Sequence, residues 1–186
     1  MSILILKGFF LGFFFALLPG PTGYGIIRLA FAGDARKATK WLGSLMLADI
    51  VILFAILAVP GISLLFGNSI FTLISGIFLL GFAFHIRSQK DKNVVATINP
   101  FYLTLLNPAI WIGTVMLLAS SNSQSLSDLF IFYFAIQSAT VLYYLLLIFK
   151  TKKFANVGTA LQSSAIAGIA IFGVYSVGKG IFQLFI

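Results

Sequence analysis

Six long apolar runs follow one another along this chain and leave little room for anything else. Each run is bounded by charged residues or by turn-forming residues, and most are close to the roughly 20 residues that a helix needs to cross a bilayer. The runs cover residues 3–31, 42–59, 62–84, 100–119, 129–149 and 161–185. The pattern predicts an all-α integral membrane protein of six transmembrane helices, with a single membrane domain over residues 1–186.

Charged residues are scarce and unevenly placed. They make up 9% of the sequence, whereas soluble domains contain about 25%. Ten of the 12 Lys and Arg residues follow the first, third and fifth runs: Arg28, Arg36, Lys37, Lys40, Arg87, Lys90, Lys92, Lys150, Lys152 and Lys153. The positive-inside rule then predicts three cytoplasmic loops and both termini outside. Topology and contact with anionic lipid headgroups explain the net charge of +8, so nucleic acid is not an expected partner.

The first run is interrupted near its middle by Pro19, Gly20 and Pro21. Proline removes a backbone donor and clashes with the preceding turn, so this segment cannot be continuous helix. Unpaired backbone groups cost several kcal/mol in lipid, and such a break is tolerated only where it is buried in protein or lines a wet cavity. The break is therefore a candidate binding site, together with the adjacent Thr22.

The fourth run has a comparable interruption at Asn107 and Pro108, at a similar depth to Pro19. This arrangement predicts a 3+3 inverted repeat in which spans 1 and 4 are both Pro-interrupted. The first repeat covers about residues 1–86 and the second about 98–186. In secondary transporters, broken helices of this kind meet near the bilayer midplane, where their N-terminal ends face anionic groups of the substrate.

Asp49 is the only acidic residue clearly inside a predicted span. A shift close to the Pro19-to-Pro108 separation pairs it with Gln137 in span 5, another polar residue in apolar surroundings. A charged residue at the centre of a membrane helix costs about 2.5–3.5 kcal/mol on insertion scales, so Asp49 is expected to face the bundle interior. A carboxyl group there suits a role in proton coupling.

Structural interpretations of these residues remain open. A proline in a membrane helix is often only a kink, and Asp49 is also compatible with an interhelical hydrogen-bond anchor. Packing or hydrogen bonding between helices also accounts for five other polar residues of the spans, namely Asn107, Gln137, Ser138, Tyr143 and Tyr144.

Two segments of the chain resemble the LysE/RhtB amino-acid exporter family. The first contains Gly12, Pro19-Gly20-Pro21, Gly33-x-Ala35-Arg36-Lys37-Ala38, Gly43 and Asp49. The second contains Phe101-x-Leu103 followed by Asn107-Pro108 and looks like the opening of the family's second half. The resemblance also covers the whole chain in its length, span count and repeat layout.

This resemblance implies a small bacterial inner-membrane exporter that expels amino acids or similar metabolites by using the proton-motive force. By this analogy the segments Pro19-Gly20-Pro21 and Asn107-Pro108 would line the transport site, and Asp49 matches a span-2 acid of the family. With Thr22 beside the first break and Gln137 from the internal repeat, these segments are the expected substrate-binding residues. Exporters of basic amino acids tend to have a second acid where this chain has Gln137. In the family, a lysine is also frequent at the position that Ala109 occupies in this chain. Both differences argue against a lysine or arginine substrate.

Other classes of function find less support in the sequence. An intramembrane enzyme needs clustered His, Asp, Glu or Cys, whereas this chain has one His and no Cys; we therefore expect no enzymatic activity, cofactor or metal. A passive channel or a membrane scaffold subunit stays as the alternative, although no filter motif is present.

Small residues in spans 3 and 6 allow close helix packing within one chain or in a homodimer: Ser75, Gly76, Gly81, Gly168, Gly173, Gly178 and Gly180.

Overall fold

The computed structural model describes residues 2–17, 19–59, 61, 68–88, 99–120, 125–150 and 155–185. This part of the chain contains eight helices and no strand. The helices are α1 (Ser2–Leu17), α2 (Pro21–Phe31), α3 (Ala35–Ala58), α4 (Ser69–Ser88), α5 (Pro100–Leu105), α6 (Pro108–Ser120), α7 (Leu126–Lys150) and α8 (Ala155–Phe185).

Four of these helices, α3, α4, α7 and α8, are long and apolar enough to cross a membrane. Helices α1 and α2 add a fifth span if they are counted as one helix bent by 69° at the Pro-Gly-Pro break. The chain is therefore an α-helical membrane protein. The sixth predicted span corresponds to α5 and α6, which have only six and 13 residues and are separated at Asn107. It stays a prediction.

Helix α3 begins at Ala35, earlier than the predicted start of the second run at residue 42. The Asp34 carboxylate caps it by accepting a hydrogen bond from the backbone N–H of Lys37 at 3.0 Å, and it lies 2.9 Å from the Lys37 ammonium group. These interactions with Lys37 lower the pKa of Asp34. The preceding turn requires Gly33, whose φ of +80° is in the left-handed region. The predicted start of the third run, at residue 62, lies outside the described residues.

Helix α2 lies at the centre of the bundle and packs against α3, α5, α7 and α8. Nine of its 11 residues are buried. Glycine allows this close packing, because a side chain at Gly25 would overlap the ring of Trp41 on α3, and one at Gly23 would overlap the hydroxyl of Tyr144 on α7. The segment that follows the first break is thus enclosed by protein, as broken backbone in a membrane requires.

Two closely packed helix pairs flank this centre, α1 with α7 and α4 with α8. In α1, Gly12 lies against the backbone of Ile136 in α7; in α4, Gly76 lies against the backbone of Val177 in α8. Small residues let helix backbones approach where lipid removes the hydrophobic drive for association. The predicted close packing of small residues is thus seen between two helices of the same chain at Gly76, whereas Gly81 has open space beside it.

We expect Gly76→Ala to destabilise the protein and Gly81→Ala, on the same helix, to leave its stability unchanged or slightly raised. A Cβ atom at position 76 would lie 2.5 Å from the backbone nitrogen of Val177, so the two helices must separate. Overpacking of this kind costs about 1–3 kcal/mol, whereas alanine in an open helical position is favoured by about 1 kcal/mol. Reversible unfolding in detergent measures both values. Equal free energies of unfolding for the two variants would contradict the described α4–α8 contact.

Candidate functional site

A cavity of about 260 Å³, here named the central cavity, lies where the two helix breaks meet. Its wall includes all the predicted site residues except Pro108, which starts α6 beside it: Pro19, Gly20, Pro21, Thr22, Asp49, Asn107 and Gln137. These residues are far apart in sequence and come from the two breaks, α3 and α7. The structure therefore brings them together, while the role assigned to each stays a prediction.

Asp49 and Gln137 are in direct contact in the wall of the central cavity. The Gln137 amide nitrogen Nε2 donates a hydrogen bond to Asp49 Oδ2 at 3.1 Å, although the two residues are 88 positions apart. The hydroxyl group of Tyr133 lies within interaction range of both side chains. The pair that the internal repeat predicted as equivalent positions is therefore in direct contact.

Four buried polar atoms of the central cavity have no hydrogen-bond partner among the described residues: Asp49 Oδ1, Asn107 Nδ2, Tyr133 Oη and Gln137 Oε1. An unsatisfied buried polar group costs about 1–3 kcal/mol, so such groups are rare and call for a ligand, an ion or water. The set combines two oxygen acceptors, one amide donor and one hydroxyl that both donates and accepts. A small solute with both an ammonium and a carboxylate group complements it.

The two breaks differ in how their helix N-termini are satisfied. Asn107 caps α6, since its Oδ1 atom accepts a hydrogen bond from the backbone N–H of Ala109 at 3.0 Å. Helix α2 follows Gly20, and no side chain caps it. Its first two amide donors belong to Thr22 and Gly23, because Pro21 has none. The start of α2 is therefore the helix end whose partial positive charge and free amides are open to an anionic group. The start of α6 already has an acceptor, the Asn107 side chain.

A hydrogen bond between threonines links the two broken segments directly. The hydroxyl oxygens of Thr22 in α2 and Thr104 in α5 are 2.8 Å apart, and both side chains are completely buried. Thr104 also donates to the backbone carbonyl of Pro100 at 2.9 Å. This link fixes the position of the uncapped α2 N-terminus relative to Asn107.

Four residues of α7 line the central cavity: Tyr133, Gln137, Thr140 and Tyr144. The sequence analysis did not identify Tyr133 and Thr140, and it named Tyr144 only as a packing residue. Their spacing of four, three and four residues is that of one helix face, so the sequence contained a signal for this polar face. Ser138 lies outside this face and is exposed.

Tyr143, another predicted packing residue, lies outside the wall of the central cavity. The ring of Tyr143 makes an edge contact with Phe13 of α1, with 5.7 Å between ring centroids. Within the described part of the chain, no three His, Cys, Asp or Glu side chains are close enough to hold a metal ion. The prediction that the chain is not an enzyme stays a prediction.

Comparison of the chain with protein-family models, with curated proteins and with solved structures gives no match. The central cavity and its residues therefore carry the functional argument.

Proposed function

We propose that the protein is a secondary-active exporter of amino acids or similar small metabolites across the bacterial inner membrane, and that export is coupled to protons. The observation that carries this proposal is the convergence of four unpartnered polar atoms in one cavity at two interrupted helices. Discontinuous helices that enclose a polar cavity are typical of secondary transporters. The cavity volume of about 260 Å³ is just below the roughly 300–1,000 Å³ of sites for drug-sized ligands and suits a small metabolite.

The proposed substrate orientation follows from the two sides of the central cavity. The uncapped start of α2 would hold the carboxylate group of the solute through the amides of Thr22 and Gly23. The oxygens of Asp49 and Gln137 would accept hydrogen bonds from its ammonium group. When the solute leaves, a proton takes its place on Asp49, and the return of the empty carrier then moves that proton inward.

The proposed topology has six spans with both termini outside the cell and the basic loops in the cytoplasm. The sixth span is α5 joined to α6, which matches α1 joined to α2 as the opening of an inverted repeat. This topology is supported by the position of Arg28 and Arg87, which lie at the C-terminal ends of α2 and α4 and line one cavity. The ends of the first and third spans are thus at the same end of the bundle.

Two substitutions of Asn107 separate its structural role from its proposed contact with the solute. Asn107→Ala removes the cap of α6 and should lower the free energy of unfolding by about 0.5–2 kcal/mol, whereas Asn107→Ser retains a capping oxygen and most of that stability. Both remove the amide donor from the cavity, so we expect both to reduce transport to a similar extent. Thermal unfolding and solute flux are the two measurements. Normal flux in Asn107→Ser would show that the amide does not contact the solute.

The proposed function is tested by comparing metabolites in deletion cells and in cells that overproduce the protein. We expect one or a few amino acids or related solutes to accumulate inside the deletion cells and outside the overproducing cells. An uncoupler should abolish this efflux, while efflux that ignores an uncoupler would identify a passive channel. If no solute moves, the exporter proposal fails and a scaffold role replaces it.

A further inference from the structure

A second cavity, of about 670 Å³, lies between α2, α4 and α8 at the end of the bundle where α2 and α4 terminate. We name it the charged-end cavity because Arg28 and Arg87 both line it. Gln162 and Ser163 of α8 add an amide and a hydroxyl group to its wall. Four polar groups from three helices therefore line one cavity. Basic residues that served only to orient the protein in the membrane would not need to converge in this way.

The charge of this cavity is positive, and one of its arginines is positioned by a buried residue. Arg28 lies within hydrogen-bonding range of the hydroxyl group of Tyr24, which is itself only 4% exposed and lines the same cavity. The acidic residues Asp34, Asp49 and Asp128 do not line it. Guanidinium groups bind carboxylate and phosphate groups through paired, charge-assisted hydrogen bonds. An anionic oxygen group is thus the chemistry that this wall recognises.

The charged-end cavity and the central cavity are stacked along the same three helices. Neighbouring residues line the two spaces, with Gly23, Leu79 and Ile169 on the central cavity and Tyr24, Leu80 and Ala170 on the charged-end cavity. Tyr24, Leu79 and Ile169 are all less than 5% exposed and belong to one apolar cluster between the two spaces. The two cavities are therefore adjacent along these helices.

We propose that the charged-end cavity binds the carboxylate group of a small solute through Arg28 and Arg87 and is the entrance to the central cavity. The solute is an amino acid or another organic acid with an apolar portion, since Leu80, Phe84 and Ile166 supply the apolar part of the wall. The entrance role rests on the proposed export function, whereas carboxylate binding at this place does not. Movement of Tyr24 away from Leu79 and Ile169 would connect the two cavities.

The test is equilibrium binding of N-acetyl-L-leucine to the full-length protein in an uncharged maltoside detergent. N-acetyl-L-leucinamide, which has the same shape and no carboxylate, is the matched probe. We expect the affinity for the amide to be lower than that for the acid by about tenfold or more. The double variant with Arg28→Gln and Arg87→Gln should lower the affinity for the acid by about tenfold or more. Arg36→Gln, an exposed arginine outside the cavity, should change nothing. The single variants Arg28→Gln and Arg87→Gln provide the same comparison if the double variant does not fold.

Lipid is the other source of an anionic group, and nanodiscs distinguish it from the solute. Binding of N-acetyl-L-leucine that is equally strong in phosphatidylcholine discs and in discs with phosphatidylglycerol supports the proposal. Displacement of the probe by phosphatidylglycerol would overturn the proposal in favour of a headgroup site. Equal binding of the probe to the wild type and to the double variant would overturn the assignment to Arg28 and Arg87. The two proposals fail separately: a wild type that binds the probe but exports no solute retains the carboxylate site, whereas a wild type that exports solute but does not bind the probe loses it.

Discussion

Asp49→Asn protein is expected to lose proton-driven accumulation of solute in liposomes completely, to the level of liposomes without protein. Asp49 supplies the only carboxyl group among the residues of the central cavity. Asparagine has nearly the same shape and keeps a hydrogen bond with Gln137, but it cannot bind and release a proton. Exchange of internal for external solute at equal pH does not require proton release, so it should persist in the variant.

The matched control for this substitution is Asp34→Asn. Asp34 lies in the turn before α3 and caps that helix, and asparagine caps helices about as well as aspartate. We expect its coupled accumulation to equal that of the wild type. Undiminished accumulation by Asp49→Asn under the same pH gradient would exclude Asp49 as the coupling residue and leave it as an anchor between α3 and α7.

Gln137→Glu is expected to shift the substrate preference towards cationic amino acids by about tenfold or more. The new carboxylate would stand beside Asp49, where Gln137 now donates a hydrogen bond at 3.1 Å. At about 4 Å and an effective dielectric constant of about 20, two unit charges interact with about 4 kcal/mol. With Asp49 holding the α-ammonium group that all amino acids share, the carboxylate at position 137 can pair with a cationic side chain, which would gain part of that energy. A tenfold preference needs only about 1.4 kcal/mol. The measurement is the ratio of lysine flux to leucine flux in the same liposomes.

Gln137→Met is the control for shape, because it fills similar space without charge or hydrogen-bonding capacity. It should reduce the flux of both amino acids and leave their ratio unchanged. If Gln137→Glu also changes the two fluxes by the same factor, Gln137 does not face the side chain of the solute. That result would limit Gln137 to the α-ammonium group, which all amino acids share.

The breaks and the interior position of Asp49 were predictable because their chemistry is local. Proline disrupts a helix that would continue through Pro19 or Pro108, and α1 does end before the first break while α6 begins at the second. A lone acid such as Asp49 in an apolar run has no favourable place except the interior. The repeat comparison singled out Gln137 as the position equivalent to Asp49; their hydrogen bond was not predicted and is seen only in the structure. The repeat itself and the roles of these residues stay predictions.

The remainder of the wall depended on packing that an almost uniformly apolar sequence does not encode locally. With 60% apolar residues, each span has apolar side chains on most of its surface, so the face towards lipid cannot be distinguished from the face towards protein. The contact of Thr22 with Thr104 and the approach of Tyr144 to Gly23 come from the arrangement of whole helices. The early start of α3 was missed for another reason, since the second run was counted from its apolar residues alone, whereas the helix begins earlier, after its cap Asp34.

The central claim is that the transported solute occupies the central cavity, and a single cysteine tests it most directly. The chain has no cysteine of its own. Gly113 lines the cavity, and a Cβ atom at this position would meet no other atom within 4 Å, so Gly113→Cys should fold normally and react with a small water-soluble thiol reagent. Gly43→Cys, which also has open space but lies outside the cavity, is the control.

The decisive measurement is the rate of thiol labelling with and without the solute that the cell experiments identify. Occupation of the central cavity predicts that this solute slows the labelling of Gly113→Cys by about tenfold or more and leaves the labelling of Gly43→Cys unchanged. Labelling of Gly113→Cys that is unaffected by saturating solute, in protein that still transports it, would contradict the claim and place the transport route elsewhere in the bundle.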